Sequence, residues 1–499
     1  MLSKLKAQDD VYIILLVILF ALPVYFFSLS DKLILGFYLL IVAVVIATVL
    51  GRFKSWWFPV LIGLIILLPG PLDRVFLSAR LTPEAEANPY GIFSVIDILM
   101  FFTVFIRLKN EKKLHNLFNP RVNYLTIVLV LITLVGILSS IQSYLTYQSF
   151  YFPMAFRAIF YSARFLLVFS WISNYVDDLS ELKKIPIAIY LITFGFVLLA
   201  LLSPKENYEG GNRLSVATYG VNTFGHLLTF IALLCIPFIS YFNKEKKKVP
   251  LFFVAACFFI CLIFLLMSAN RMSFTLLLFG ILAYNLRMPA PFAKKLSLVF
   301  LFLSVFAATI FLFFLFKPEL LTRVLGIFQI ISGENALQDI RELQARFVVW
   351  NISLQMISSH PLLGIGPGQW NYLKFDFGSM PPWMSTILDP HNGYLLYTSE
   401  MGSICAILYY SILVVSIKRG YNTFKILKRN YKSTLSQDVK FYMSLILMMV
   451  IVIICWMLSD LTNASGLNIR VQSLMWSLCC ILFISPSLSI KFLNRNYEN

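Results

Sequence analysis

Apolar residues run along the chain in blocks of roughly 17–25 positions, the length a helix needs to cross about 30 Å of hydrocarbon. The blocks predict fourteen spans, at 11–28, 33–50, 55–71, 92–108, 122–145, 155–176, 185–203, 219–242, 249–268, 272–286, 296–316, 393–417, 438–459 and 468–487. Most connections are short. The exception is residues 317–392, where polarity rises between two spans. Within that segment Leu337, Ile340, Leu343, Phe347, Trp350, Leu354 and Ile357 recur at steps of three and four. This spacing predicts an amphipathic helix lying on the membrane or on the bundle. The run "HPLLGIGPGQW" (360–370) follows as a compact turn, and Pro390 closes the loop before the next apolar block.

Composition agrees: the chain of 499 residues is 59% hydrophobic and 13% charged, where soluble domains carry about 25% charge. The expected architecture is an all-α polytopic membrane protein of about 12–14 transmembrane helices, one membrane domain over 1–499 with a large outer loop at 317–392. Met1 to Phe27 reads as an uncleaved first span. The net charge of +17 would suit nucleic acid, but its placement does not: Lys and Arg gather in short loops such as 109–121, 243–248 and 418–432, and alternate loops are poor in them. With the N-terminus in the cytoplasm all three basic loops fall inside, as the positive-inside rule requires. No nucleic-acid partner is expected. The seven cysteines lie within apolar spans and read as small buried hydrophobes.

On the outer side basic residues are scarce. Arg213 precedes the span at 219–242, Arg271 sits in "SANRMS" at a span end, and Arg346 is on the amphipathic helix. At 100° per residue Arg346 lies roughly 60° from Leu343, beside the apolar stripe, and Arg341 roughly 160° away. Each Arg has two readings, snorkelling to headgroups or holding an anionic phosphate. Asp97, Arg157, Arg164 and Asp460 stand in or beside spans, as functional charges or as mutual ion pairs. Of the four histidines, His115 reads as solvent-facing, His226 as a buried hydrogen-bonding group and His360 as a helix terminator; His391 sits at the lip of a span in "DPHNGYLLYTSEMG" (389–402). Asp389 and Asn392 flank it, able to orient the imidazole, and Asn392 equally reads as a helix cap. "GIGPG" lacks the Lys-Ser/Thr sequel of a nucleotide loop and reads as a turn before a phosphate nest.

"ARFVVWNISLQMISSHPLLGIGPGQWNY" (345–372) followed by "DPHNGYLLYTSEMG" resembles the shared signature of bacterial O-antigen ligases and O-antigen or exopolysaccharide polymerases. The shared features are Arg346, Trp350, "HPLLGIG", the His391-Asn392 pair, and Glu400 with Gly402; an Arg-bearing outer turn is matched by Arg271. The resemblance implies a GT-C-like, metal-independent glycosyltransferase of the inner membrane with its site facing the periplasm and no cofactor. Its catalytic region would span about 200–417. Donor and acceptor would be a glycan on undecaprenyl diphosphate and a sugar hydroxyl, of lipid A–core in a ligase or of another lipid-linked unit in a polymerase. His391 would serve as general base, and Arg271, Arg346 and Arg213 would hold the diphosphate, supported by Asn392, Asp389, Trp350 and Glu400. The chain contains no Asp-x-Asp motif. A flippase for lipid-linked oligosaccharide is the rival from another class; it calls for an inner cationic path and, often, an inverted repeat.

Overall fold

The computed structural model describes residues 122–147, 165–202, 221–289, 336–462 and 469–498, apart from a few positions within these ranges, together with two short strands. The spans expected before residue 122 and nearly all of that at 296–316, with His115, Asp97, Arg157 and Arg164, lie outside the described residues. So do positions 317–335 of the outer loop. The described helices are α1 (Asn123–Thr146), α2 (Ile185–Leu202, entered by a 3-10 turn at Leu179–Lys184), α3 (Val221–Lys244), α4 (Lys248–Ser268) and α5 (Arg271–Arg287). They continue with α6 (Ala336–Ser359), the single turn α7 (Trp370–Leu373), α8 (Gly393–Thr434), α9 (Gln437–Ser459) and α10 (Ile469–Glu498). Strands β1 (Tyr208–Glu209) and β2 (Arg213–Leu214) form an antiparallel hairpin pairing Glu209 with Arg213.

Among the described residues seven helices are long and apolar enough to cross a membrane. Their surfaces show which solvent they meet. On α1 the exposed stripe is Ile127, Leu131, Leu134, Leu138, Ile141 and Leu145, whereas Gly136, Ser139, Ser140 and Ser143 face the bundle. Apolar outside and small or polar inside is the arrangement of a helix bathed in lipid. Centre and rim separate clearly: 78% of the α3 span and 83% of the α9 and α10 spans are buried, against 33% for α1 and α4. The chain is a polytopic membrane protein.

Contacts give the helix directions. Cys455 donates to the Leu276 carbonyl at 3.6 Å and Tyr284 meets Ser444, so α5 and α9 run antiparallel. Phe230 packs on Trp456 and Phe238 on Phe441, so α3 also opposes α9. One end of the bundle is strongly basic. There Lys183 pairs with Asp438 at 2.9 Å and Arg495 with Asp178 at 2.5 Å. The opposite end carries the outer loop.

The expected span 393–417 is not one straight helix. Gly402 has φ 76° and ψ 170°, and α8 breaks there into a short arm, 393–401, and a long arm, 403–434. Along a straight helix Tyr394 and Tyr410 would stand about 24 Å apart. Instead their rings stack at 4.4 Å, and those of Tyr397 and Tyr409 at 4.3 Å. The arms therefore fold back on each other, and the chain turns at Gly402.

Candidate active site

The outer segment has its own small core of Val349, Ile352, Met356, Ile365, Trp370, Leu373, Met384 and Leu396. The expected helix is α6 (Ala336–Ser359). The face of α6 that packs inward is Val349, Ile352, Ser353 and Met356; Phe347 and Leu354, from the predicted stripe, are 57% and 54% exposed. Trp370 is fully buried and donates to Ser353 Oγ at 2.9 Å. Lys374 is buried too, its ammonium donating to Asn371 Oδ1 at 2.8 Å and to the Ser385 and Ile387 carbonyls at 2.7 Å. Burial lowers its pKa below the ordinary lysine value. Nothing in its sequence surroundings signals this role. It steadies the stretch that leads into Asp389.

The "HPLLGIGPG" turn and the Gly402 corner are laced together. Ile365 N–H donates to the Ser399 carbonyl and Gly366 N–H to the Glu400 carbonyl, both at 2.9 Å; Ser403 N–H returns to the Pro361 carbonyl at 2.9 Å. From α1, Ser139 donates to the Glu400 carbonyl and Ser143 to that of Ile365. The Glu400 carboxylate accepts from Gly368 N–H and Trp370 N–H, both at 3.0 Å. Those amides are thus already occupied by an acidic side chain of the protein itself, which favours the turn reading over the phosphate nest. Tyr147 at the end of α1 meets His360 Nδ1 at 3.2 Å, and burial lowers the His360 pKa. His360 follows the last residue of α6, and its carbonyl receives Gly364 N–H, consistent with a helix terminator.

His391 stands at the foot of the short arm. It has φ +51°, a left-handed conformation that a non-glycine residue adopts only when its surroundings impose it. Four contacts do so. Asp389 Oδ1 accepts His391 N–H at 2.6 Å; Trp350 Nε1 donates to the Pro390 carbonyl at 3.0 Å; Asn392 Nδ2 reaches the Leu461 carbonyl at 3.2 Å; Gly393 N–H donates to the Asp460 carbonyl at 2.7 Å. Asn392 Oδ1 also accepts Leu395 N–H at 3.1 Å, so Asn392 is the helix cap. The imidazole is oriented by Asp389, whose Oδ1 lies 3.1 Å from Nδ1. With Nδ1–H given to the carboxylate, Nε2 is left as the proton acceptor. The His391 side chain is 43% exposed and Asp389 16%. Trp350→Phe keeps an aromatic side chain but loses the Nε1–H bond to Pro390 and part of the indole's packing, so loop 389–392 should loosen by about 1 kcal/mol or more, read as faster amide exchange there.

Arg346 is half-buried one turn before Trp350 on α6, on the helix that grips Pro390. Arg271 is the first residue of α5, whose cap is the Asn270 side chain accepting Ser273 N–H. The antiparallel register of α5 and α9 sets it level with Ser459 and Asp460, at the end where Asp460 holds Gly393. A cation on the first turn opposes the helix macrodipole, so α5 gains no stability from Arg271 there. Arg213 is on β2, in the connection between α2 and α3 at the same end, and β2 packs on α4. His226 is fully buried with Nδ1 2.9 Å from Ser273 Oγ, a structural pair between α3 and α5. Asp460 is fully buried, and Tyr410 lies 3.5 Å from Oδ2; burial raises its pKa well above the carboxylate range.

A helical membrane bundle with a folded outer cap presents a carboxylate-oriented histidine at the end that also carries its scarce arginines. Residues 256–410, about a third of the chain, match the family model described as O-antigen ligase (Wzy_C). The match runs from α4 through α5 and the outer segment to the first turns of the long arm of α8, and so contains Arg271, Arg346, Trp350, His391 and Glu400. No curated protein matches the chain.

Proposed function

We propose that the protein is a glycosyltransferase of the O-antigen ligase type, acting on the periplasmic face of the bacterial inner membrane. The observation that carries this reading is the Asp389–His391 pair within the matched segment. The donor is a glycan on undecaprenyl diphosphate and the acceptor a sugar hydroxyl of lipid A–core. Nε2 of His391 takes the hydroxyl proton as the acceptor oxygen bonds to the anomeric carbon, and the bond from that carbon to the diphosphate oxygen breaks. The lipid diphosphate leaves with the electron pair, and Arg271, Arg346 and Arg213 offset its growing charge. The chain's residues supply the base and the counter-charges without a cofactor. The asymmetry of the bundle supports the orientation, because the basic end belongs in the cytoplasm.

Expression in a host lacking its own ligase tests the reading by its product. Glycan on lipid A–core identifies a ligase; longer glycan still on undecaprenyl diphosphate identifies a polymerase. A donor that only changes leaflet, with no new glycosidic bond, identifies a flippase. Arg271→Lys keeps the charge and loses the planar fork, so transfer should fall about tenfold if the fork grips a phosphate. Unchanged turnover would assign Arg271 to lipid headgroups.

A further inference from the structure

The face of α6 turned away from the loop core has a chemistry of its own. At 100° per residue, Val349, Ile352, Ser353 and Met356 share one sector of about 100°, and all four are buried. Gln344, Phe347, Asn351, Leu354, Gln355 and Ser358 share a second sector of about 100°, roughly opposite, and all six are exposed. Arg346 and Trp350 stand on the border between the two, on the side of Phe347 and Leu354. The Phe347 ring meets Trp350 edge-on with 5.9 Å between centroids, and Trp350 Nε1 holds the Pro390 carbonyl beside His391. Outward from His391 the order is thus Trp350, then Phe347 and Leu354, then the carboxamides. Gln344, three residues before Phe347, and Asn351, four after it, flank the ring. From Phe347 to Leu373 the chain has no Asp, Glu, Lys or Arg.

That chemistry selects the occupant. Hydrocarbon would strand the exposed carboxamides without partners. Anionic headgroups would call for Lys or Arg, and the exposed sector has neither. A sugar ring suits both halves of the surface. Its C–H face lies on an aromatic ring, and its hydroxyls exchange hydrogen bonds with carboxamides, which both donate and accept. The sector runs about 21 Å along the helix from Gln344 to Ser358, room for more than one sugar. The geometry points to a glycan subsite on α6, in which Phe347 stacks on a sugar of the substrate glycan and Gln344 and Asn351 bond its hydroxyls. The inference rests on the glycosyltransferase reading of His391 and adds the surface that carries sugars beyond the reacting one.

The test uses full-length protein in phosphatidylcholine nanodiscs and two soluble probes. One is the glycan released by mild acid from the lipid-linked donor; the other is the core oligosaccharide released by mild acid from lipid A. Titration calorimetry reads the binding of each without any transfer. F347A should weaken binding of one probe about five- to tenfold; Q344A/N351A should weaken it too, and F347W should keep it. The probe affected says whether α6 carries donor or acceptor sugars. No binding by the wild type, or equal affinity in wild type and both variants at equal Tm, overturns the subsite. So does wild-type affinity in F347L, which would leave the ring no role. Two rival occupants have their own signatures, and either one overturns the proposal. A nitroxide on L354C relaxed by oxygen but not by a water-soluble paramagnet places the face in the bilayer; a dimer that F347A dissociates places it against a second copy. Product analysis in the ligase-deficient host runs alongside. Transfer with unaltered probe binding removes the subsite alone, and absence of transfer removes the catalytic reading whatever α6 binds.

Discussion

Replacing His391 by alanine should lower glycan transfer by about 10²–10⁴-fold, the range a positioned general base contributes. The effect should fall on kcat and leave KM for the lipid-linked donor nearly unchanged, because in the proposed mechanism the imidazole meets the reacting hydroxyl and not the diphosphate. Asp389 acts through His391: its Oδ1 is 3.1 Å from Nδ1 and 2.6 Å from the His391 amide. Asp389→Asn removes the charge that holds the Nδ1–H tautomer, so it should also lower kcat, by less than the loss of the histidine. In an His391→Ala background the same change should add almost nothing, since the group it orients is gone. A double variant with the two losses multiplied would separate Asp389 from the histidine. His391→Ala turning over at the wild-type rate would end the general-base assignment. Because φ at His391 is +51°, His391→Asn is the better-matched comparison, as asparagine tolerates this conformation and cannot act as the base.

How far these features can be read in the sequence depends on the range of the interaction. Membrane character is legible because it rests on composition summed over whole helices; the block at 122–145 becomes α1 (Asn123–Thr146), and the tight connection before Arg271 is the two-residue link between α4 and α5. The scarce outer arginines and His391 are legible because cations are rare beyond the basic end. Periodicity is blind to a reversal, however. Residues 393–417 read as one apolar block whether the helix runs straight or turns at one glycine, and only contacts such as Tyr394 with Tyr410 decide. The signature residues are similarly divided. Asp389 and His391 are the pair to which we assign chemistry, whereas Gly364, Glu400 and Gly402 build the corner that holds their loop. On α6 the inward face is set by the loop core, Val349, Ile352 and Met356, while Phe347 and Leu354 of the predicted stripe are exposed, and periodicity alone does not say which apolar face packs on protein. Lys374 is not legible in the sequence because its acceptors are mainly backbone carbonyls, which have no sequence signature.

Gly402→Ala separates the two forms of α8 by the sign of its effect. If the chain ran straight through this position, alanine would replace glycine inside a helix and stabilise it by about 1 kcal/mol. At the corner the opposite is expected. A Cβ on Gly402 would stand 2.0 Å from the Leu362 carbonyl oxygen and 2.3 Å from its carbon, and these are backbone atoms held by the turn. With φ 76° and ψ 170° the backbone lies in a region essentially restricted to glycine, which adds about 1–3 kcal/mol for any residue with a side chain. Relief requires the "PLLGIG" turn to separate from the corner, which breaks the Ser403–Pro361 bond and disturbs those from Ile365 and Gly366. A loss of about 3 kcal/mol or more is expected, among the largest single-residue effects in the molecule. Thermal unfolding of the detergent-solubilised protein reads it as a drop in Tm of several degrees. Ser403→Ala serves as the control, because it removes one hydroxyl bond to the Pro361 carbonyl and should cost about 1 kcal/mol. Activity should follow stability, since the short arm that ends at the corner begins at His391. A Gly402→Ala protein with raised Tm would show that α8 is straight, and would remove the structural reason for His391 to face the outer cap.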